Sequence, residues 1–282
     1  MKSSSNFKQI GQWALLLRWN KPSGRLILLI PAGWSLWMTP NAPPPVELIL
    51  LIIAGGVFVS GAGCIANDLW DRRIDRRVVR TKQRPLARRS VRISTALTLL
   101  FAMLLLSFLI VVSLPTGSTN LCLAIALIAL PAILVYSSAK RWFAYPQAFL
   151  AICWGFAVLI PWAASESSLT GGWPLFYCWS ATLMWTFGFD TVYAMADRND
   201  DKALDLKSSV LTLGRKTKSI VGVSYGITCI LFATGAYFAR VGWSFWPIWI
   251  VATIGMQREI FIINELNCSI SIFGRHFKIK FI

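Results

Sequence analysis

Residues 66–89 read ANDLWDRRIDRRVVRTKQRPLARR and begin where a glycine-rich apolar segment ends. On a helix, Asn67, Asp71 and Asp75 stand at i, i+4 and i+8 and share a face, with Asp68 beside that row. Like charges stacked one turn apart destabilise an isolated helix by roughly a few tenths of a kcal/mol each. A divalent cation reverses that sign. Hard oxygen ligands suit magnesium, which proteins hold through one or two carboxylates plus substrate phosphates. Arginines from Arg72 to Arg89, with Lys82, surround the acids. This mixture suits a polyanion gripped partly by metal and partly by cationic forks. It also suits a solvated loop laced with surface salt bridges, and the segment alone leaves both readings open.

The rest of the chain places the segment at a membrane edge. Its 282 residues are 56% hydrophobic and only 14% charged, yet the net charge is +16. A soluble nucleic-acid binder spreads its Lys and Arg over a globular surface. Here the charges sit in a few clusters between long apolar runs, so the chain reads as an all-α polytopic membrane protein and not as a nucleic-acid partner. Fourteen tryptophans fit rings placed at membrane–water interfaces. The cysteines fall mostly inside apolar runs without close pairing, which points to packing. His276 is the single histidine, so histidine-based metal or serine chemistry is excluded.

Phe7, Ile10, Trp13, Ala14 and Leu17 recur at helical spacing, so the N-terminus, residues 1–23, reads as a cytoplasmic amphipathic segment. Lys21 and Arg25 flank a chain break at Pro22–Gly24. Apolar spans are expected at 26–38, 48–66, 94–114, 121–136, 148–164, 174–189, 220–239 and 243–263. Gly55, Gly56, Gly61 and Gly63 in the second span allow close helix packing. Loops after spans two, four and six carry the positive residues, whereas those after one, three, five and seven carry almost none. The positive-inside rule therefore puts the N-terminus and every basic loop in the cytoplasm. The tail 264–282 is basic and atypical.

The loop after span six repeats the first constellation. In FDTVYAMADRNDDKALDLK, residues 189–207, Tyr193, Asp197 and Asp201 again stand at i, i+4 and i+8. Asp190 lies one turn ahead of Tyr193. Topology puts this loop on the same side as the first motif. Two acidic rows at one membrane face would oppose each other across a cavity, each with one magnesium ion, the two ions bridging a diphosphate.

NDLWDRRIDRR and YAMADRNDD resemble the paired N-D-x-x-D-x-x-x-D and Y-x-x-x-D-x-x-x-D motifs of the UbiA superfamily of intramembrane aromatic prenyltransferases. RWNKPSG, TKQRPL, YSSAKRW and KSSVLTLG are similar to the 4-hydroxybenzoate polyprenyltransferase branch. The resemblance covers residues 17–257. It implies one transmembrane prenyltransferase domain, 1–282, in which the family generally arranges nine helices around a central cavity; this chain offers about eight spans.

The resemblance further implies magnesium held by Asn67, Asp71, Asp75, Asp197 and Asp201, a polyprenyl diphosphate, and a hydroxylated benzoate prenylated ortho to its hydroxyl. Asp68 belongs to the motif off the main row. Arg72, Lys140, Arg141 and Arg198 are candidates for neutralising the leaving group. Arg141 is also a candidate for the benzoate carboxylate. Asp190 is a candidate acceptor contact or proton acceptor, or simply a polar residue at a helix end, and Tyr193 orients Asp197 or packs. Such an enzyme would serve quinone synthesis from a bacterial inner membrane or an equivalent organelle membrane, among membrane lipid. Homogentisate, naphthoate, porphyrin and protohaem are the alternative acceptors. A transporter would put its ionisable residues near the bilayer midplane, where these spans carry almost none.

Overall fold

The computed structural model describes residues 2–20 and 26–263, with side chains from residue 9 onward. The break at Pro22–Gly24, the cations Lys21 and Arg25, and the tail 264–282 lie outside the described residues. Among the described residues the regular structure is entirely helical. The helices are α1 (Lys2–Leu16), α2 (Leu29–Met38), α3 (Val46–Asp71), α4 (Ile93–Val112), α5 (Thr119–Tyr136), α6 (Pro146–Glu166), α7 (Gly172–Met195), α8 (Arg198–Ala203), α9 (Ser209–Leu213), α10 (Thr217–Phe238) and α11 (Phe245–Ile262).

Each expected span finds a helix. Five segments are long and apolar enough to cross a membrane by length and composition: 46–71, 93–112, 119–136, 146–166 and 209–238. Phe101, Ile128 and Ile230 on these helices are 68%, 67% and 67% exposed. Contiguous apolar surface of that kind is a liability in water and ordinary against lipid. The chain is an integral membrane protein. Pro146 opens α6 at a position where the missing N–H would have had no helical partner anyway.

By its internal contacts the chain divides into two compact units, residues 1–30 with 45–138, and residues 31–44 with 139–282. In the first, α3 packs along α4 so closely that a Cβ on Gly55 would lie 3.2 Å from Ile110 Cγ2. Gly55 of the second span therefore does permit close approach. Around the last turns of α3, Leu16, Leu17, Ile65, Leu86, Val91 and Ala96 form a buried apolar cluster. A side chain such as Leu86, taken from water into such a cluster, stabilises it by roughly 1.5–3 kcal/mol. The basic 72–92 segment is thereby anchored from below, and the solvated-loop reading is set aside. Gln12 of α1 accepts hydrogen bonds from Arg88 and Ser90, which fastens the amphipathic helix to the same segment.

In the second unit, α7 packs between α6 and α10. Met38, Val158, Trp162, Leu175, Cys178 and Ala236 form its core. Ser35 of α2 donates to Val158 O at 2.7 Å, and Trp249 of α11 donates to Cys229 O of α10 at 3.2 Å. At Gly188 the aromatic ring of Tyr225 occupies the space a Cβ would need, 2.6 Å from Cε1. That contact seats α7 on α10 just before Asp190.

Candidate active site

The first acidic set does not keep the helical row expected for it. α3 ends at Asp71, and Arg72 adopts helical dihedrals as its C-cap. Asp75 follows in a turn, its N–H still bonded to Asp71 O at 2.8 Å. The carboxylates brought together are Asp68 and Asp75, 1% and 5% exposed. Arg84 Nη1 lies 3.1 Å from Asp68 Oδ1 and 2.9 Å from Asp75 Oδ2, and Arg18 Nη2 lies 2.9 Å from Asp68 Oδ1. The expectation that Asp68 stands aside is corrected. Asn67 and Asp71 are half-buried beside the pair.

Burial raises the pKa of Asp75 above its ordinary value; the Arg84 guanidinium opposes that shift and the neighbouring Asp68 charge adds to it. Arg72, expected to face a leaving group, donates from Nη1 to Leu69 O at 2.6 Å and so serves the end of its own helix. The loop carrying Arg84 is held by Thr81 Oγ1 donating to Asp75 O at 3.2 Å and Arg76 Nε donating to Ala87 O at 2.8 Å. Trp70 Nε1 donates to Leu134 O at 2.8 Å, tying the end of α3 to α5.

The second acidic set is also broken from its helix. α7 stops at Met195, Asp197 takes the N-cap position of α8, and Asp201 lies inside α8 with its N–H 2.8 Å from Asp197 O. The i+4 step survives between these two acids, but Tyr193 belongs to the preceding helix. The Asp- and Asn-rich run competes with helical hydrogen bonding through its short polar side chains, which favours a helix boundary there. Asp197 and Asp201 are 8% and 2% exposed. Lys140 Nζ lies 3.3 Å and 3.4 Å from the two Asp201 carboxylate oxygens. Asp190 and Tyr193 are half-buried on α7, whereas Arg141 and Arg198 are exposed.

Aromatic rings stack along α7 on the N-terminal side of Asp190. Trp185 and Phe189 lie 5.0 Å apart between centroids, Trp154 of α6 lies 5.0 Å from Phe189, and Trp34 of α2 lies 5.1 Å from Trp185. Such faces attract a cation through their quadrupoles.

Among the described residues, no three Asp, Glu, Cys or His side chains gather in the manner of a closed metal site. The oxygen donors that do gather, in pairs or singly against a cation, are of the kind that suits a hard divalent ion whose shell is completed by water and substrate phosphate. Spacing along the sequence does not pick out Arg18 and Arg84 as site residues. Arg84 lies within TKQRPL, and no helical periodicity carries across the irregular 72–92 segment.

Long apolar helices with lipid-facing side chains define an integral membrane protein, and each of its two units carries buried carboxylates matched to cationic side chains. Residues 28–265 match the model of the UbiA prenyltransferase family. The chain is 46% identical over 220 residues to a 4-hydroxybenzoate solanesyltransferase of a Synechocystis species, covering 77% of this chain and 73% of that protein. It is 36% identical over 251 residues to a 4-hydroxybenzoate octaprenyltransferase of Dechloromonas aromatica, covering 87% and 81%. The solved UbiA homologue of Aeropyrum pernix superposes with a TM-score of 0.72 at 23% identity, over 97% of this chain and 94% of that one. One from Archaeoglobus fulgidus, bound to GPP and Mg2+, gives 0.73 at 22% identity, over 95% and 94%. The chain belongs to the UbiA prenyltransferase family, and it is a prenyltransferase.

Proposed function

We propose that residues 1–282 act as one domain that transfers a polyprenyl group from its diphosphate to the carbon ortho to the hydroxyl of 4-hydroxybenzoate, as a step of quinone synthesis. The observation that carries this reading is the buried pair Asp68 and Asp75 gathered on one guanidinium. The names of the two relatives supply the acceptor.

Magnesium would be held by Asn67, Asp71 and Asp75 in one set, with Asp68 beside Asp75, and by Asp197 and Asp201 in the other. When bound, the metal would neutralise diphosphate oxygens and so lower the barrier to breaking the allylic C–O bond. Lys140 presents its ammonium beside Asp201, where the departing diphosphate takes up the electron pair of that bond. Arg198 adds positive charge on the same loop. Arg141 serves either the diphosphate or the acceptor carboxylate. Trp34, Trp154, Trp185 and Phe189 face the allylic cation with ring faces and exclude the water that would capture it. The ring carbon ortho to the phenolic hydroxyl then attacks, a C–C bond forms, and Asp190 takes the displaced proton, with Tyr193 orienting Asp197. The basic loops, and with them the acidic sets, face the cytoplasm of a bacterial inner membrane or its organelle equivalent.

The test is an assay of membranes with labelled prenyl diphosphate and a panel of aromatic acceptors, with and without magnesium. Transfer to 4-hydroxybenzoate alone, dependent on magnesium and lost in Asp71→Asn while membrane insertion persists, is the expected result. Transfer to homogentisate, naphthoate or a porphyrin instead would overturn the acceptor assignment.

A further inference from the structure

Lys140 is carried on a short 3-10 turn, Ala139–Arg141, and its flexible four-carbon stem has many rotamers open to it. The turn is not left to itself. Lys207 N–H donates to Lys140 O at 2.8 Å, and Lys207 Nζ donates to Trp142 O at 3.1 Å. Thr212 Oγ1 donates to Ala144 O at 2.8 Å. Residues 207–212 therefore lie as a strap over residues 140–147.

The strap's anchor is Gln147, the second residue of α6 and 3% exposed. Its Oε1 accepts from Ser209 N–H at 2.8 Å. That N–H opens α9 and has no acceptor within its own helix, as first-turn donors never do. Ser208 Oγ accepts from Leu211 N–H at 3.3 Å, so the remaining start of the short helix is capped locally. Gln147 thus meets a need that the strap cannot meet from within, and both Ser208 and Ser209 are fully buried.

We infer that the 207–212 strap, locked by Gln147, fixes the backbone beneath Lys140 so that its ammonium is held on Asp201, which makes Gln147 a positioning residue for binding the prenyl diphosphate. The inference deepens the reading of Lys140 as a diphosphate-facing group and rests on it for the effect on substrate.

Gln147→Leu removes the acceptor at nearly constant volume. In the full-length solubilised protein it should raise the KM for geranyl diphosphate roughly three- to tenfold, the factor that the net worth of one hydrogen bond corresponds to. The KM for the aromatic acceptor should stay unchanged. Reductive methylation read by mass spectrometry should find Lys140 protected relative to exposed Lys202 in the parent, and equally reactive in Gln147→Leu. Gln147→Glu keeps an acceptor oxygen, and a carboxylate in a helix's first turn is favoured by the dipole. It should restore both readouts. Thr212→Val, which cuts the strap elsewhere, should shift Lys140 methylation in the same direction. Unchanged Lys140 protection in Gln147→Leu overturns the inference, as does an equal rise in both KM values that Gln147→Glu does not rescue. Lys140→Met separates the two levels. An unchanged KM for geranyl diphosphate in that variant refutes the diphosphate role of Lys140, whereas the methylation result decides the strap by itself.

Discussion

Asp68 and Asp75 accept hydrogen bonds from one and the same nitrogen, Nη1 of Arg84, at 3.1 Å and 2.9 Å. Two nearly inaccessible like charges held that closely are tolerable only because the guanidinium lies between them, with Arg18 supplying a second positive charge to Asp68. The arrangement pre-assembles two oxygen donors from either side of the α3 terminus. It also makes Arg84 the residue on which the pair depends.

Arg84→Met should therefore be severely destabilising. Removing one partner of a buried ion pair typically costs about 3–5 kcal/mol; here Asp75 loses its guanidinium, while Asp68 keeps that of Arg18. The melting temperature of the purified protein should fall by many degrees. Adding Asp68→Asn should recover part of the loss, since a neutral amide no longer repels Asp75. Equal melting of the parent and Arg84→Met would show that the pair is compensated elsewhere.

The pH dependence follows from the same geometry. Asp75 has a pKa above 3.8, chiefly from burial, with Arg84 pulling it down and Asp68 pushing it up. A carboxyl raised on folding contributes stability that is fully present below its unfolded pKa and is lost as pH rises through the folded one. For function the sign is the reverse: on acidification Asp75 takes up a proton while ordinary aspartates are still ionised. In the metal-free protein the Asp75 carboxyl, followed by its infrared carbonyl band, should therefore take up its proton above the ordinary aspartate range. In Asp68→Asn that titration should move to lower pH, because the like charge is gone. An unmoved titration would assign the band to another group.

Apolar runs carried the helices, because the period and length of a membrane-buried helix are imposed by the bilayer and need few long-range facts. The acidic motifs were equally plain as composition. Their geometry was not, since the helical row assumed for Asn67, Asp71 and Asp75 requires α3 to continue past Asp71, where it stops. Leu86 and Val91 are drawn into the core beneath the segment, and this tertiary anchor turns the chain into consecutive turns. Arg84 reaches both acids across that irregular path, and helical spacing has nothing to say about such a reach. Gln147 is illegible in the sequence for a related reason. A lone glutamine near a helix start carries no motif, and only the fold brings Ser209 to it.

Gly188→Ala tests how α7 is seated. A methyl group there would meet Tyr225 Cε1 at 2.6 Å, inside any real contact distance, so the helix or the ring must shift. Overpacking of this kind costs roughly 1–3 kcal/mol. Melting should fall accordingly, and Tyr225→Leu in the same protein should restore much of the loss by opening the space. Because Asp190 lies two residues further along α7, kcat should fall with Gly188→Ala and return with the second substitution.

Trp185 touches Trp34, Trp154 and Phe189, with centroids 5.1 Å, 6.2 Å and 5.0 Å away, and is buried itself. It therefore joins rings from α2, α6 and α7 into one wall. Trp185→Leu keeps an apolar side chain but removes the shared face and loosens the stack, so two effects should separate in the products. Loss of cation stabilisation, worth roughly 0.5–2 kcal/mol for one ring, should lower kcat by about two- to thirtyfold. Admission of water should divert part of the prenyl group to the free alcohol, so the ratio of prenyl alcohol to prenylated acceptor should rise. Chromatography of products from labelled prenyl diphosphate measures both. A lower kcat with an unchanged product ratio would leave Trp185 the electrostatic role and remove it from the barrier to water.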